Sequence, residues 1–346
     1  MTDSALPAPR PAWKHPAVRL AGSAVILALL FTFLPADQLI SAIRRLSPVM
    51  IGLAVVSYML LHLIGVSKWR LLVNTTGADL GFVDGVRAYY SGLFGNTFLP
   101  SIVGGDLVRA GVAFGAVRSR SGLLLGSMVD RVQDVVGLGL LAGIGALLSP
   151  LALTTESRRV FLLLAFLLAA GAASSLAIWR LFPVHRSPWR VRRKLVSVRR
   201  AVRATAGRPA NLVGAGLLGM LLQSLLIVLN WRLGIAIGID IPLYVWFFVW
   251  PLAKIAGLLP VTQGGIGVRE AAQAALFAPF GVPAVAAVAT GLAFEVVIIL
   301  GGLAGGGVAW LLALLTRSRD VPDRSPRDDG GAASTDASSA VRVGRL

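Results

Sequence analysis

Residues 100–109 read Pro-Ser-Ile-Val-Gly-Gly-Asp-Leu-Val-Arg, and residues 260–269 read Pro-Val-Thr-Gln-Gly-Gly-Ile-Gly-Val-Arg. Both stretches follow the pattern Pro-x3-Gly-Gly-x3-Arg and lie 160 residues apart. Upstream, the triplet Trp-Arg-Leu at 69–71 recurs at 231–233. One Pro-Gly-Gly stretch alone would indicate an ordinary loop. Two matches in the same order and at nearly the same spacing indicate an internal structural repeat.

The composition places this repeat in a membrane protein. Hydrophobic residues make up 56% of the 346 positions and charged residues only 14%, and the mean hydropathy is +0.77. A soluble globule of this size carries more charge on its surface, so soluble enzyme folds are excluded. A spanning helix needs about 20 apolar residues. By this measure we predict six spans, at 18–35, 48–67, 121–148, 158–180, 211–236 and 284–315.

Positive charge is concentrated between the predicted spans. The net charge of +17 would suggest nucleic acid in a soluble protein, but short basic clusters beside apolar spans are typical of loops that face anionic lipid. We therefore predict no nucleic-acid partner and a cytoplasmic basic loop at 181–210 that contacts anionic lipid. The same rule predicts cytoplasmic flanks at Lys68/Arg70 and Arg118/Arg120. The N- and C-termini are then cytoplasmic, in a bacterial inner membrane.

Metal and cofactor chemistry is poorly supplied by this sequence. It has no cysteine and three histidines, which excludes disulfides and thiolate metal sites. It also has no G-x4-G-K-[ST] nucleotide-binding loop. We predict no metal and no cofactor. His62 lies inside a predicted span, where a histidine is either a functional residue or a hydrogen-bond partner of a neighbouring helix.

The repeat divides the membrane part into two halves, and each half has three spans with a broken segment before the last one. The predicted fold is therefore an all-α polytopic membrane protein with about six full spans and two broken or re-entrant helical segments. A broken segment leaves the orientation unchanged, whether it is a re-entrant hairpin or a pair of short spans, so the repeat is inverted, as in secondary transporters. The predicted segments are a cytoplasmic N-terminal segment (1–17), a first half (18–157) with its broken segment (82–117), a second half (158–316) with its broken segment (241–275), and a disordered cytoplasmic tail (317–346).

Backbone chemistry suggests an anion site at each broken segment. Pro100 and Pro260 end a helix, and the glycine pairs Gly104-Gly105 and Gly264-Gly265 permit a tight turn before a new helix begins. The free N–H groups and positive dipole of such a helix start favour an anion. Arg109 and Arg269 follow one turn later and are suited to a bidentate grip on phosphate. The alternative is structural: Arg109 pairs with Asp106, and Arg269 pairs with an acid elsewhere.

Further charged residues lie within apolar helices. Glu295 falls one residue from Asp134 after the 160-residue shift. Intramembrane charges of this kind face the bundle interior, where they act as proton or cation sites that couple transport, or as countercharges for the arginines. We include Asp106 and Glu270 with the substrate-binding residues. The residues open to the coupling or countercharge role are Asp130, Arg131, Asp134, Lys254 and Glu295.

With these motifs the sequence resembles the lysylphosphatidylglycerol synthase transmembrane-region family, whose members are described as flippase-like membrane proteins. The resemblance rests on Gly92-x3-Asn96-x3-Pro100-x3-Gly-Gly-Asp-x2-Arg109, on Asp130-Arg131, and on Pro260-x3-Gly-Gly-x-Gly-x2-Glu270. It implies a membrane domain that moves lipids between leaflets. The bifunctional members add a soluble aminoacyl-tRNA-dependent transferase after the membrane part. Here a polar tail of 30 residues follows the last span, so we expect no lysine transfer.

The leading prediction is thus a translocase for a phosphate-bearing lipid, either a phospholipid or a polyprenyl-phosphate-linked saccharide. Its head group would be held at the two half-helix N-termini. An intramembrane transferase on lipid-linked substrates, with Asp106, Asp130 or Glu270 as base, is the first alternative. A non-transporting subunit that places an enzyme at the membrane is the second. A homo-oligomer or an enzyme partner fits either membrane role.

Overall fold

The computed structural model describes residues 36–99, 104–149, 207–258 and 265–317. Within these residues the chain is helical, with nine α-helices and one 3-10 turn at Ala278–Phe280. The helices are α1 (Ala36–Arg44), α2 (Pro48–Thr75), α3 (Phe82–Phe98), α4 (Gly104–Ala113), α5 (Arg120–Leu148), α6 (Pro209–Ile237), α7 (Leu243–Ala256), α8 (Val268–Phe277) and α9 (Ala284–Arg317).

Several sequence predictions fall outside these described residues. They are the spans at 18–35 and 158–180, most of the basic loop at 181–210, the tail from 318 onward, and the residues Pro100, Pro260 and Gly264. The number of spans and the segment boundaries therefore stay predictions.

Four of the described helices are long and apolar enough to cross a membrane, namely α2, α5, α6 and α9. They coincide with four of the predicted spans, so the chain is a multi-pass helical membrane protein. One face of α2 presents large apolar side chains outward, at Val49, Leu53, Val56 and Leu60. That outward apolar stripe is what a lipid-facing helix requires, because no water is available there.

Helix α2 continues beyond its predicted end at residue 67. Lys68, which we expected at a basic cytoplasmic flank, is only 2% exposed. The next turns bury Trp69, Leu72 and Val73. The lysine is thus an interior residue of a helix that ends at Thr75, because it finds carboxylate partners inside the bundle.

Each broken segment forms a hairpin of two short helices. Helix α3 ends at Phe98, and Leu99, which precedes a proline, is extended (φ −85°, ψ 127°), as a residue before proline prefers. Helix α4 then begins at the glycine pair. At 10 residues and about 1.5 Å per residue it is about 15 Å long, too short for a hydrocarbon core of about 30 Å. The same length holds for α8.

Glycines and aromatic rings hold the two arms of each hairpin together. In the first hairpin a Cβ on Gly92 would lie 2.9 Å from the Gly105 carbonyl oxygen, and one on Gly95 would lie 2.8 Å from Val108. In the second hairpin the rings of Trp246 and Phe277 meet at 4.7 Å, at the start of α7 and the end of α8. Both hairpins therefore return toward the end of the bundle at which they began.

The ends of the long helices fall into two groups. At one end, Thr76 Oγ1 donates a hydrogen bond to the Gly122 carbonyl at 2.7 Å, and Asn211 Nδ2 donates to Thr75 Oγ1 at 3.0 Å. The first hairpin opens at this end, where the Arg118 N–H donates to the Ala78 carbonyl at 2.9 Å.

At the other end, Arg45 donates to the Ile237 carbonyl at 2.8 Å, beside the start of the second hairpin. The two hairpins thus open at opposite ends of the bundle.

Each hairpin packs against the last span of the other half. Helix α3 lies along α9, and α7 lies along α5. The first contact uses the predicted glycine-rich part of α9: an added Cβ on Gly305 would lie 3.1 Å from Tyr90. The second uses Gly145, where a Cβ would lie 2.6 Å from the Phe247 carbonyl carbon. Small residues at such crossings let helix backbones approach closely, which compensates for the weak hydrophobic drive in lipid.

Candidate functional site

A polar cavity of about 220 Å³ lies where the two halves meet. Its wall is built by α2, α3, α4 and α5 of the first half and by α6, α7 and α9 of the second half. The polar and charged residues that line it are Tyr58, His62, Lys68, Tyr89, Asn96, Asp106, Arg109, Asp130, Arg131, Asp134, Gln223 and Lys254.

Six charged side chains on one wall of this cavity form a closed ring of alternating charge. Lys68 Nζ lies 3.0 Å from Asp130 and also pairs with Asp134. Arg109 pairs with Asp130 at 3.3 Å and with Asp106 at 3.2 Å.

Arg131 pairs with Asp106 and, at 3.3 Å, with Asp134, which completes the circle. We call Lys68, Asp130, Arg109, Asp106, Arg131 and Asp134 the ion-pair ring; its three positive and three negative charges cancel.

Local packing fixes the members of the ion-pair ring. The Arg109 guanidinium lies over the Trp69 ring, 4.5 Å from its centre, and Trp69 Nε1 donates to Ser127 Oγ at 2.9 Å. Gly219 makes room for the lysine, since a Cβ there would lie 3.1 Å from Lys68 Cε. Burial with paired partners is how charges persist inside a membrane protein.

The N-terminus of α4, predicted to attract an anion, meets a neutral side chain. The Gly105 N–H donates to Asn96 Oδ1 at 3.0 Å. A Cβ on Gly105 would collide with that amide, so glycine is required for this contact. Gly105, Asp106 and Arg109 line the cavity, and Gly104 is buried directly before them.

The corresponding residues of the second half form a separate cluster. Arg269 donates to Glu270 Oε1 at 2.8 Å and also pairs with Glu295. Glu270 is fully buried and accepts the Gly267 N–H at 2.6 Å, so its own carboxylate supplies the negative charge that the α8 N-terminus favours.

The described cavity wall does not include Arg269, Glu270 or Glu295. Gly265 has φ +81° and forms the glycine turn predicted before α8.

Lys254 is the odd charge of the cavity. It projects from α7, and its Nζ donates a hydrogen bond to Gln223 Oε1 at 2.9 Å. In the described part of the chain no carboxylate forms an ion pair with it. Because the ion-pair ring is balanced, Lys254 leaves the cavity with one uncompensated positive charge.

His62 adds an unused polar atom to the same cavity. It lies near the middle of α2 and is 8% exposed. Its Nδ1 lies 3.3 Å from the Tyr89 hydroxyl, whereas Nε2 is buried without a partner among the described residues.

Sequence reasoning missed two members of this site, Lys68 and Tyr89. Lys68 was assigned to a surface flank because it follows 20 apolar residues, yet the apolar pattern resumes after it at Trp69, Leu71 and Leu72. That resumption was the available signal for a longer helix. No signal in the sequence marked Tyr89.

Known proteins place the chain in a family. The family model described as the lysylphosphatidylglycerol synthase TM region matches residues 17–306. No curated protein and no solved structure matches the chain significantly. The family match spans most of the 346 residues and includes both hairpins and the cavity. The chain therefore belongs to the lysylphosphatidylglycerol synthase transmembrane-region family, a membrane-protein family tied to lipid handling.

Proposed function

We propose that this protein is a lipid translocase that moves a phosphate-bearing lipid or lipid-linked saccharide between the leaflets. The observation that carries the proposal is Lys254, a cation without a carboxylate partner among the described residues, on the wall of a cavity inside the bundle. A charge held in a membrane interior is costly unless an opposite charge compensates it. A phosphate in the cavity supplies that compensation, while its acyl or prenyl chains stay in the lipid.

The two hairpins supply a route for alternating access in this proposal. The first hairpin contributes Gly104, Gly105, Asp106 and Arg109 to the substrate contacts in the described arrangement. The second contributes the corresponding positions Gly264, Gly265, Arg269 and Glu270, which meet the head group when the bundle opens the other way. Hairpins that open at opposite ends, and that each pack on the last span of the other half, support an inverted repeat of the kind found in transporters.

We further propose that the bundle end with Thr75, Arg118 and Thr316 is cytoplasmic, in a bacterial inner membrane. The positive-inside rule supports this orientation, since the basic flanks at Arg118 and Arg120 begin α5 there. The basic loop at 181–210 then faces anionic lipid on the same side. Asp130, Arg131, Asp134 and Glu295 act as countercharges that hold the arginines, in preference to coupling sites, because each of them is already paired.

The test is transport of fluorescent lipids in proteoliposomes. The native chain is compared with Lys254→Gln, Arg109→Ala and Arg269→Ala at equal reconstitution, using tail-labelled phospholipids and a prenyl-phosphate lipid. Arg118→Gln is the matched control, because that arginine is 84% exposed at the bundle end. We expect the native chain and the control to move a phosphate-bearing lipid, and Lys254→Gln to slow it by at least about tenfold, the effect of about 1.4 kcal/mol.

The opposite results are equally informative. If the folded native chain moves none of these lipids, with or without a proton or sodium gradient, the translocase proposal is wrong and the transferase and partner-subunit alternatives replace it. If the native chain moves lipid and Lys254→Gln does so at the native rate, the cavity is not the head-group site.

A further inference from the structure

We propose that His62 and Lys254 form an oxyanion subsite that accepts one negative charge, so that the protein selects a phosphodiester head group over a phosphomonoester. The inference rests on the proposed function and adds a charge limit on the head group. The observations behind it are the fixed position of the imidazole, its unused Nε2 and the charge balance of the cavity wall.

The imidazole of His62 is held in one place by two tyrosines. The Tyr58 ring meets it edge-on at 4.3 Å between ring centres, and the Tyr89 hydroxyl lies 3.3 Å from Nδ1. Gly65, one turn further along α2, makes this possible, since a Cβ there would lie 2.7 Å from Tyr89 Cζ. A side chain supported on both sides in this way is preorganised for a ligand.

The remaining nitrogen faces the cavity with nothing bound to it. His62 Nε2 is buried and lacks a partner among the described residues, although the residue lines the cavity. When the Tyr89 hydroxyl donates to Nδ1, the neutral imidazole carries its proton on Nε2 and is a donor there. A buried donor without an acceptor is costly, and a phosphate oxygen in the cavity satisfies it.

The charges around this nitrogen set the limit of one. The groups that face the cavity are Tyr58 and the Lys68 member of the ring on α2, Tyr89 on α3, the other ring members on α4 and α5, and Lys254 on α7. The ion-pair ring is neutral as a whole, and Gln223 and Ile298 are the uncharged contributions of α6 and α9. One negative charge therefore neutralises the cavity, whereas a second remains uncompensated in the membrane interior.

Chemically, the two kinds of head group differ in this property. A phosphodiester carries one negative charge at all pH values near neutrality. A phosphomonoester carries one charge below its second pKa of about 6 and two charges above it. The subsite thus accepts a monoester when it is singly charged and rejects it when it is doubly charged.

The experiment compares tail-labelled phosphatidylglycerol, a diester, with tail-labelled phosphatidic acid, a monoester, in proteoliposomes read out by albumin back-extraction. Rates are measured at about pH 5.5 and about pH 8.5, on either side of the monoester transition. At the higher pH we expect the native chain to move the diester at least about tenfold faster than the monoester, and at the lower pH we expect the ratio to fall below about threefold. His62→Gln, which keeps an N–H donor, should retain movement of the diester, and His62→Phe should lose it.

Two outcomes would overturn the inference in different ways. Equal movement of both lipids at the higher pH contradicts the charge limit and leaves the translocase function standing. Movement of neither lipid by the folded native chain defeats the translocase function and this inference with it. A thermal unfolding scan of both variants in detergent verifies that His62→Phe remains folded; if it does not, retention of diester movement in His62→Gln decides the role of the donor.

Discussion

Lys68 on α2 and Asp130 on α5 form an ion pair of 3.0 Å between two side chains that are each at least 95% buried. The lysine also contacts the Asp130 carbonyl and the Asp134 carboxylate. This pair connects two long helices inside the membrane and is one side of the ion-pair ring. Its strength is therefore a direct measure of how the first half is held together.

Removal of one partner should destabilise the protein strongly. Lys68→Met leaves the Asp130 and Asp134 carboxylates without their shared cation, and an uncompensated buried charge costs about 3–5 kcal/mol. We expect a large fall in the unfolding temperature in detergent.

The double variant Lys68→Met/Asp130→Asn removes a charge of each sign and should recover part of the loss, because the two residues are coupled. Additive losses in the double variant would mean that the two side chains act independently.

Helix crossing through glycine should be sensitive at one position and tolerant two residues away. A Cβ on Gly145 would lie 2.6 Å from the Phe247 carbonyl carbon, which is backbone and has no other rotamer to adopt, whereas Gly143 has nothing within 4 Å. We expect Gly145→Ala to destabilise by about 1–3 kcal/mol through overpacking. Gly143→Ala should be neutral or stabilising by up to about 1 kcal/mol.

The measurement for this pair is thermal or denaturant unfolding of both variants in the same detergent. Equal stability of Gly145→Ala and Gly143→Ala would show that α7 does not pack against α5 as closely as described.

The second-half cluster should distinguish arginine from lysine. Arg269 contacts Glu270 and Glu295 at the same time, a geometry that suits the planar fork of a guanidinium but not a single ammonium. We expect Arg269→Lys to lower the free energy of unfolding by about 1–3 kcal/mol, the cost of an unsatisfied buried polar group.

Arg118→Lys is the control for this prediction, because Arg118 is largely exposed and its ion pair with Asp79 spans 3.8 Å. An Arg269→Lys variant as stable as this control would contradict the bridging role.

The absence of native cysteine makes topology directly measurable. Arg118 and Asp240 are exposed at opposite ends of the bundle. Arg118→Cys should react with a membrane-impermeant maleimide only from the cytoplasmic face, and Asp240→Cys only from the other face. Labelling of both cysteines from the same face would rule out the proposed arrangement.

Much of the secondary structure could be predicted because apolar length and helix breakers act locally. The spans at 121–148, 211–236 and 284–315 match α5, α6 and α9 within a few residues. The breaks at the two Pro-Gly-Gly motifs also lie where helices end and begin again, at Phe98 and Gly104 for the first motif. The error at Lys68 arose because a charge after 20 apolar residues was taken as a membrane boundary.

The candidate site was predicted as a set of residue types and not as an arrangement. Asp106, Arg109, Asp130, Arg131, Asp134 and Lys254 were singled out from the sequence, and all of them line the cavity. Their partners could not be assigned, because residues 62 or 66 positions apart meet only when α2 packs on α5. The expected symmetry of Arg109 and Arg269 also hid a difference, since Glu270 has alanine, Ala110, at the matching position of the first half.

By itself the sequence determined that the chain is a multi-pass helical membrane protein of the lysylphosphatidylglycerol synthase transmembrane-region family, since hydrophobic length, helix breakers and motifs are properties of the chain read in order. Only the tertiary structure decided which charges cancel and which one is left. Periodicity states which residues share a face of one helix, but the partner of a buried charge depends on which faces meet across the bundle. The closed ring around Lys68 and the uncompensated ammonium of Lys254 both arise at that level.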